Sequence, residues 1–297
     1  MGFCAGVQNA VDLVRKILSE NPEKRIFLSD ELIHNPIINH ELKQKGIIFL
    51  SQYSNMPEQA AIEKYVTPKD IFIIPAFGIS KSSRQVLEKI GCETIDTTCP
   101  SVKAVINKII EFTKQGYTIL YYGKPKHPET EAAVSYADNY IVIHSLEDIA
   151  DKKLDKVGLV AQTTMLRSKV NKVFDEIETK LGKDNVKRIN TVCGATQVRQ
   201  DAVEKLAQDV KTILVIGGYN SSNTKNLAKV AANKGAKVYH IDGNPDKITK
   251  EKITFQPVGS DKESTEENWY TADIGITSGA STPDEVTEKI IEKINNF

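Results

Sequence analysis

The sequence lacks several features that would assign it to a class at once. Lys and Arg number 39, and so do Asp and Glu, so the formal net charge is zero. This balance argues against a nucleic-acid binder that relies on bulk positive charge, and against a polybasic membrane anchor. The longest nearly apolar run, residues 71–79, is far too short to span a bilayer. Neither the P-loop nor the dinucleotide-binding glycine motif is present.

The N-terminus also lacks the charged and apolar regions of a secretory signal. We therefore expect a cytoplasmic protein, in a compartment where thiols stay reduced and disulfides are rare. An apolar share of 40% over 297 residues is enough for two or three packed units.

Cysteine is scarce but regularly placed. Of four cysteines, Cys4, Cys99 and Cys193 are separated by 95 and 94 residues. Each precedes an apolar stripe with helical spacing, so each is predicted to open an amphipathic helix. A unit repeated three times would place three thiolates around one pseudo-threefold axis, which suits an iron–sulfur cluster with one iron left free. The alternative is that free cysteines are small core residues, and we assign that role to Cys92.

Short β-rich runs alternate with helical stripes, which predicts an α/β fold with mainly parallel sheets. Runs such as residues 71–74 are predicted to be strands buried on both faces. The cysteine spacing divides the chain into lobes at 1–97, 98–191 and 192–297, three pseudo-symmetric α/β lobes around a central cavity. The first lobe is expected to lack its leading strand, because only three residues precede Cys4; either the chain was trimmed or this lobe is built with one strand fewer. Ten strands are predicted, at 25–29, 46–50, 70–76, 93–97, 118–122, 140–143, 156–161, 211–216, 236–240 and 272–277, and residues 259–268 are predicted to be a loop.

Polar clusters follow several predicted strands, where open α/β sheets bind ligands. Residues 217–223 contain two glycines, then Ser221, Ser222 and Asn223 before a helix. This pattern suits an anion such as diphosphate. Helix capping by serine and asparagine is the alternative, although one cap does not need so many polar residues.

Two further clusters precede helices. Thr282 and Glu285 have the spacing of a capping box, with Pro283 at the first helical position, which leaves Ser281 without a capping role. His127, Pro128 and Glu129 are predicted to open a helix, with Pro128 near the first helical position. The Glu129 carboxylate either complements the helix dipole or relays protons.

Together these segments resemble the 4-hydroxy-3-methylbut-2-enyl diphosphate reductase (LytB-type) family, which ends the methylerythritol phosphate route to isoprenoids. The resemblance runs across nearly the whole chain and keeps the family's order. The matching segments are Gly2-Phe3-Cys4-Ala5-Gly6-Val7, His34-Asn35-Pro36, Asp96-Thr97-Thr98-Cys99-Pro100 with Val102, His127-Pro128-Glu129, Gln162-Thr163-Thr164, Cys193 with Ala195-Thr196 and Arg199-Gln200, Asn220-Ser221-Ser222-Asn223, and Gly279-Ala280-Ser281 with Pro283.

The resemblance implies one 4Fe–4S cluster per chain, held by Cys4, Cys99 and Cys193. It implies that two electrons and two protons remove the allylic hydroxyl as water, and that ferredoxin or flavodoxin is the electron donor. Glu129 would supply protons, while His127 and Thr163 position substrate and water. The implied diphosphate ligands are His34, Ser221, Ser222, Asn223 and Ser281.

One position departs from the family pattern. Phe77 stands where the family has a histidine that helps to bind diphosphate. Loss of a hydrogen bond to a charged group costs about 1.5–3 kcal/mol, or roughly ten- to hundredfold in binding. Phe77 therefore keeps open a related iron–sulfur reductase or dehydratase with a different, less charged substrate. A non-enzymatic iron–sulfur sensor or carrier is a third hypothesis, which would not need a proton donor beside an anion site.

Overall fold

The computed structural model describes residues 2–53 and 56–297, in which helices and strands alternate. The described chain forms two compact units. We call residues 2–7, 34–36 and 194–297 the small unit, and residues 8–33, 37–53 and 56–193 the large unit.

The first sheet of the large unit has four parallel strands in the order β2-β1-β3-β4. β3 is buried along its whole length, as predicted, because its Ile and Phe side chains are covered on both faces. The strands are β1 (Ile26–Leu28), β2 (Ile47–Phe49), β3 (Ile71–Ile74) and β4 (Glu93–Asp96), and the helices in this stretch of chain are α1 (Ala5–Glu20), α2 (Pro36–Gln44), α3 (Glu58–Tyr65) and α4 (Lys81–Ile90).

The second sheet of the large unit repeats this arrangement, with four parallel strands in the order β6-β5-β7-β8. Its central strand β7 is also buried along its whole length. The strands are β5 (Thr118–Tyr122), β6 (Tyr140–Ile143), β7 (Val157–Ala161) and β8 (Val186–Arg188), and the helices are α5 (Pro100–Lys114), α6 (Pro128–Val134) and α7 (Arg167–Leu181).

The small unit contains a parallel sheet of three strands in the order β10-β9-β13, together with an antiparallel pair, β11 and β12. Trp269 is buried in the core of this unit, where its ring meets that of Tyr239 edge-on and its indole N–H donates to the carbonyl of Thr249 at 2.7 Å. The strands are β9 (Thr212–Ile216), β10 (Lys237–Ile241), β11 (Lys252–Phe255), β12 (Ser264–Glu267) and β13 (Ile274–Ser278), and the helices are α8 (Gly194–Asp209), α9 (Ser222–Asn233) and α10 (Asp284–Asn295).

The strand order repeats through the three parallel sheets. In each, the first strand in sequence lies between the second and the third, and a fourth strand joins the third in the two sheets of the large unit. The expectation that the first lobe lacks a strand was wrong, because the strand before Cys99 is the last strand of the first sheet rather than the first strand of the second. The three-lobe boundaries stay a prediction.

The predicted strands agree well with the observed ones. All ten are present with ends shifted by at most two residues, and the α/β class with mainly parallel sheets is confirmed. Residues 259–268 were wrongly predicted to be all loop, since they include β12. The sequence of β12 is polar and its residues are mostly exposed, so it has no apolar alternation to reveal it. Within the described residues, no helix is long and apolar enough to cross a membrane.

Candidate active site

Each of the three regularly spaced cysteines is attached to a parallel sheet in the same way. Its backbone amide donates to the carbonyl of the residue two positions beyond the end of the third strand (β3, β7 or β13). The three hydrogen bonds are Cys99 to Ala76 at 2.8 Å, Cys193 to Thr163 at 2.9 Å and Cys4 to Ala280 at 3.0 Å. The cysteines are therefore equivalent in the strand repeat as well as in sequence spacing.

A second contact precedes each cysteine by two residues. The hydroxyls of Thr97 and Thr191 donate to the carbonyls of Ile74 and Ala161, the last residues of β3 and β7, both at 2.5 Å. Sequence reasoning missed this pair, although a threonine two residues before two of the three cysteines was a visible signal.

The third cysteine uses a different second contact. The amide of Gly2 donates to the hydroxyl of Ser278, the last residue of β13, at 3.3 Å. Position 2 requires glycine, because its φ is +87° and a Cβ would lie 2.1 Å from Oδ1 of Asp284. Arg199 also holds this segment, donating from Nη2 to the carbonyl of Gly2 at 2.5 Å and from Nη1 to that of Ser278 at 3.0 Å. Burial lowers the pKa of Arg199.

All three cysteines are half-buried and form no disulfide, and each lies immediately N-terminal to a helix, as its apolar stripe predicted. Iron is bound by the thiolate form of cysteine. In residues 2–53 and 56–297, no three His, Cys, Asp or Glu side chains are grouped so as to hold a single metal ion. Thiolates of a multi-iron cluster bind different irons, so the three-thiol donor set still fits such a group.

A carboxylate in the large unit is held by one threonine. Glu129 is 3% exposed; its Oε1 accepts from the amide of Thr163 at 2.7 Å and its Oε2 from the Thr163 hydroxyl at 2.8 Å. Because Thr163 also accepts the amide of Cys193, the carboxylate and this cysteine are attached to the same residue. The structure thus brings together two predicted site residues and one predicted metal ligand.

The neighbouring polar residues orient this carboxylate. His127 is the N-cap of α6, with Pro128 at the first helical position as predicted, and its Nδ1 accepts from the amide of Glu129 at 3.2 Å. Gln162, fully buried, accepts from the amide of Lys124 at 3.0 Å and so connects the loops after β5 and β7. Burial, with the negative charge of Glu129 as the second cause, raises the pKa of Tyr121 well above its usual range.

Residues 217–223, which we call the diphosphate loop, lie in the small unit. Some buried polar side-chain atoms of this segment have no partner among the described residues. Ser221 is the N-cap of α9 and accepts from the amide of Thr224 at 3.3 Å. Ser222 and Asn223 are 1% and 4% exposed, yet the Ser222 hydroxyl and both polar atoms of the Asn223 side chain have no hydrogen-bond partner among the described residues. Capping therefore accounts for Ser221 alone, and the next two residues are available to a ligand.

Two other predicted binding residues lie against this loop. The Ser281 hydroxyl donates to the carbonyl of His34 at 3.1 Å, and Asn35 Nδ2 donates to the carbonyl of Ser281 at 2.7 Å. A Cβ on Gly218 would lie 2.9 Å from the His34 carbonyl, which shows how closely the two segments pack. All five predicted diphosphate ligands thus belong to one unit.

The predicted capping box near Ser281 was wrong. α10 begins at Asp284 with Pro283 as its N-cap, and no side chain caps it. Thr282 instead donates to the carbonyl of Ile216 at 3.1 Å. Ser281 is also not uncommitted, since its hydroxyl has a backbone acceptor.

A neutral histidine, His240, contacts the first residues of the diphosphate loop. His240 Nε2 lies 2.8 Å from the carbonyl of Gly217, and the ring of Tyr219 meets the imidazole edge-on. Burial lowers the pKa of His240 to about 4, so near neutral pH Nε2 carries the proton that this carbonyl accepts.

Phe77 is half-buried and belongs to the large unit, whereas the five predicted diphosphate ligands belong to the small unit. It lines a cleft of about 420 Å³ in the large unit, together with Asp30, Glu58 and Glu131. Among the lining residues there are three carboxylates and no basic side chain. The negative charge of these carboxylates disfavours the binding of an anion in this cleft.

The chain is similar to known proteins over nearly its whole length. A family model described as LytB protein matches residues 1–295. The chain belongs to the LytB family. Relatives named 4-hydroxy-3-methylbut-2-enyl diphosphate reductase include those of Crocosphaera subtropica, 35% identical, and Rippkaea orientalis, 36% identical, each over 99% of this chain and 82% of the relative.

Solved structures agree with this LytB assignment. One titled as (E)-4-hydroxy-3-methyl-but-2-enyl diphosphate reductase, the terminal enzyme of the non-mevalonate pathway, is 33% identical, covers 100% of this chain and 96% of its own, and gives a TM-score of 0.66. The Plasmodium falciparum reductase is 24% identical, covers 98% and 84% of the two chains, and has a TM-score of 0.79, which supports the fold.

Proposed function

We propose that this LytB protein is an oxidoreductase that reduces 4-hydroxy-3-methylbut-2-enyl diphosphate to isopentenyl and dimethylallyl diphosphate. Two electrons and two protons enter, the allylic carbon–oxygen bond breaks, and the oxygen leaves as water. The observation that carries the proposal is the equivalent attachment of Cys4, Cys99 and Cys193 to three sheets, in a chain about 35% identical to reductases of this name.

We propose that these three cysteines hold one 4Fe–4S cluster per chain. Their equivalent attachment to the three parallel sheets supports this, because three cysteine ligands leave one iron of such a cluster open. When bound, the cluster supplies electrons and an open, Lewis-acidic iron. Cysteines outside disulfides and a redox site of this kind suit the cytoplasm, which remains our proposed location.

Glu129 is the proposed proton donor. Hydroxide is a poor leaving group, so a positioned acid that protonates the departing oxygen accelerates its loss. The two hydrogen bonds from Thr163 fix the orientation of the Glu129 carboxyl, and its low exposure limits exchange with bulk water. His127 contributes by holding the amide of Glu129 at the start of α6, and Thr163 is proposed to position substrate and water as well.

The diphosphate is proposed to bind at the N-terminus of α9. A buried anion here meets the helix dipole, the Ser222 hydroxyl and the Asn223 amide, whose polar atoms lack other partners within the described chain. We propose that Ser221, His34 and Ser281 complete the set, since their segments pack around the same loop. Enclosing the anion also excludes water from the reacting carbon.

The electron donor is proposed to be ferredoxin or flavodoxin, because the reaction needs two electrons delivered singly at low potential.

Phe77 favours a second candidate, a related iron–sulfur reductase or dehydratase with a less charged substrate. The acidic cleft beside Phe77 offers nothing to replace the family's histidine. The unpaired polar atoms of Ser222 and Asn223 favour the diphosphate, and they lie in the other unit.

Turnover by the anaerobically prepared holoenzyme separates the two candidates. With a low-potential donor, we expect it to convert the allylic diphosphate faster than the corresponding monophosphate or free alcohol. A protein with full iron content that prefers the uncharged alcohol, or that ignores the diphosphate, would contradict the proposal.

A further inference from the structure

The three equivalent cysteines differ in the residue two positions further along the chain. This residue is Gly6 after Cys4, Ser101 after Cys99 and Ala195 after Cys193. Of these three residues, Ser101 alone has a hydrogen-bond donor in its side chain. Its Oγ lies 3.4 Å from the sulfur of Cys193 and donates to it.

This contact joins two segments that are each fixed in place. Ser101 is the second residue of α5, the helix that begins directly after Cys99. The amide of Cys99 is anchored to Ala76, and that of Cys193 is anchored to Thr163. The hydroxyl and the sulfur are 92 residues apart in sequence, so the contact depends on the fold. Ser101 is half-buried, which limits competition from solvent.

We propose that Ser101 is a positioning residue that raises the reduction potential of the cluster by donating a hydrogen bond to the Cys193 sulfur. The inference rests on the proposed function. When the cluster gains an electron, part of the added charge lies on its sulfur ligands. A donor to one of these sulfurs therefore stabilises the reduced form more than the oxidised form.

The first test is the midpoint potential of Ser101→Ala, measured by EPR-monitored titration of the anaerobic holoenzyme. We expect iron content and visible absorbance to match wild type, and the potential to become more negative. At fixed donor potential, the ratio of reduced to oxidised cluster should fall by about two- to tenfold, a tenfold fall corresponding to about 59 mV for one electron.

Two variants control for the change of residue. Ser168 is the second residue of α7, which like α5 has 15 residues, and it is exposed. Ser168→Ala should leave the potential unchanged. Ser101→Thr keeps a hydroxyl and should stay close to wild type; a potential as negative as that of Ser101→Ala would contradict the role of the hydroxyl.

The reciprocal variant does not depend on how position 101 tolerates substitution. Ala195 lines a groove that also contains Cys4, so Ala195→Ser places a hydroxyl in the small unit at the equivalent position. We expect a less negative potential than wild type. An unchanged potential in both Ser101→Ala and Ala195→Ser, at full iron content, would overturn the inference and leave the proposed function intact. A wild-type protein that binds no iron under reconstitution would overturn both.

Discussion

The loop after β5 with the start of α6, and the loop after β9 with the start of α9, occupy the same place in their sheets. The Glu129 side chain in the first is paired within the protein, whereas buried polar atoms in the second are not. In the first, both oxygens of Glu129 accept hydrogen bonds from Thr163. In the second, the polar side-chain atoms of Ser222 and Asn223 are buried, and no described residue pairs with them.

The difference separates two chemical tasks. A group that delivers a proton must be held in one orientation, so its hydrogen bonds come from the protein. A group that binds an anion must keep its donors available, at a cost of about 1–3 kcal/mol for each buried unsatisfied group. Mutations in the two loops should therefore have opposite effects on the stability of the ligand-free protein.

The largest expected effect is on turnover in Glu129→Gln. The amide cannot supply a proton, so kcat should fall by about 10²- to 10⁴-fold, while the visible absorbance of the cluster is retained. Anaerobic steady-state kinetics beside an absorbance spectrum measure both. Unchanged kcat with an intact spectrum would contradict the role of Glu129 as proton donor.

The Ser222→Ala variant addresses the diphosphate loop. Loss of one hydrogen bond to a charged phosphate should raise KM by roughly ten- to hundredfold. Because the hydroxyl has no partner in the described protein, thermal unfolding of the ligand-free variant should occur at an equal or higher temperature. A clear loss of stability with unchanged KM would mean that Ser222 has a structural role only.

Phe77→His restores the family's residue in the acidic cleft. If the diphosphate is the substrate, the added imidazole should lower KM by about tenfold, the lower end of the ten- to hundredfold range for one new hydrogen bond to a charged group. Phe77→Leu is the matched control for loss of the ring. An unchanged or higher KM in the histidine variant would show that this cleft does not meet the substrate.

The smallest expected effect on the rate is that of Thr163→Val, which removes one of the two hydrogen bonds to Glu129. The free energy of unfolding, measured by denaturant titration, should fall by about 1–3 kcal/mol because a buried carboxylate oxygen loses its partner. The backbone bond from the amide of residue 163 remains, so kcat should fall less than in Glu129→Gln. Stability equal to wild type would contradict the contrast between the loops.

Local sequence patterns predicted local features well. Apolar runs located ten strands, and Pro128 correctly indicated the start of α6. Features that depend on pairing across the chain were missed. The strand before Cys99 belongs to the preceding sheet, and the polar, mostly exposed strand β12 is defined by its hydrogen bonding to β11.

The candidate site shows the same limit. The residue types and their spacing predicted which side chains matter. The anchoring of each cysteine amide, the acceptor of the Ser281 hydroxyl and the contact of Ser101 with Cys193 join residues between 23 and 276 positions apart. No local pattern encodes such contacts.

The most direct test is the iron content and visible absorbance of the Cys4→Ser, Cys99→Ser and Cys193→Ser variants, prepared anaerobically. Cys92→Ser is the matched control, because Cys92 is also half-buried and forms no disulfide, lies outside the repeat, and has its pKa raised by burial. We expect each of the three variants to lose iron and absorbance while the control keeps both. Full iron and absorbance in any one of the three would contradict a cluster held by Cys4, Cys99 and Cys193.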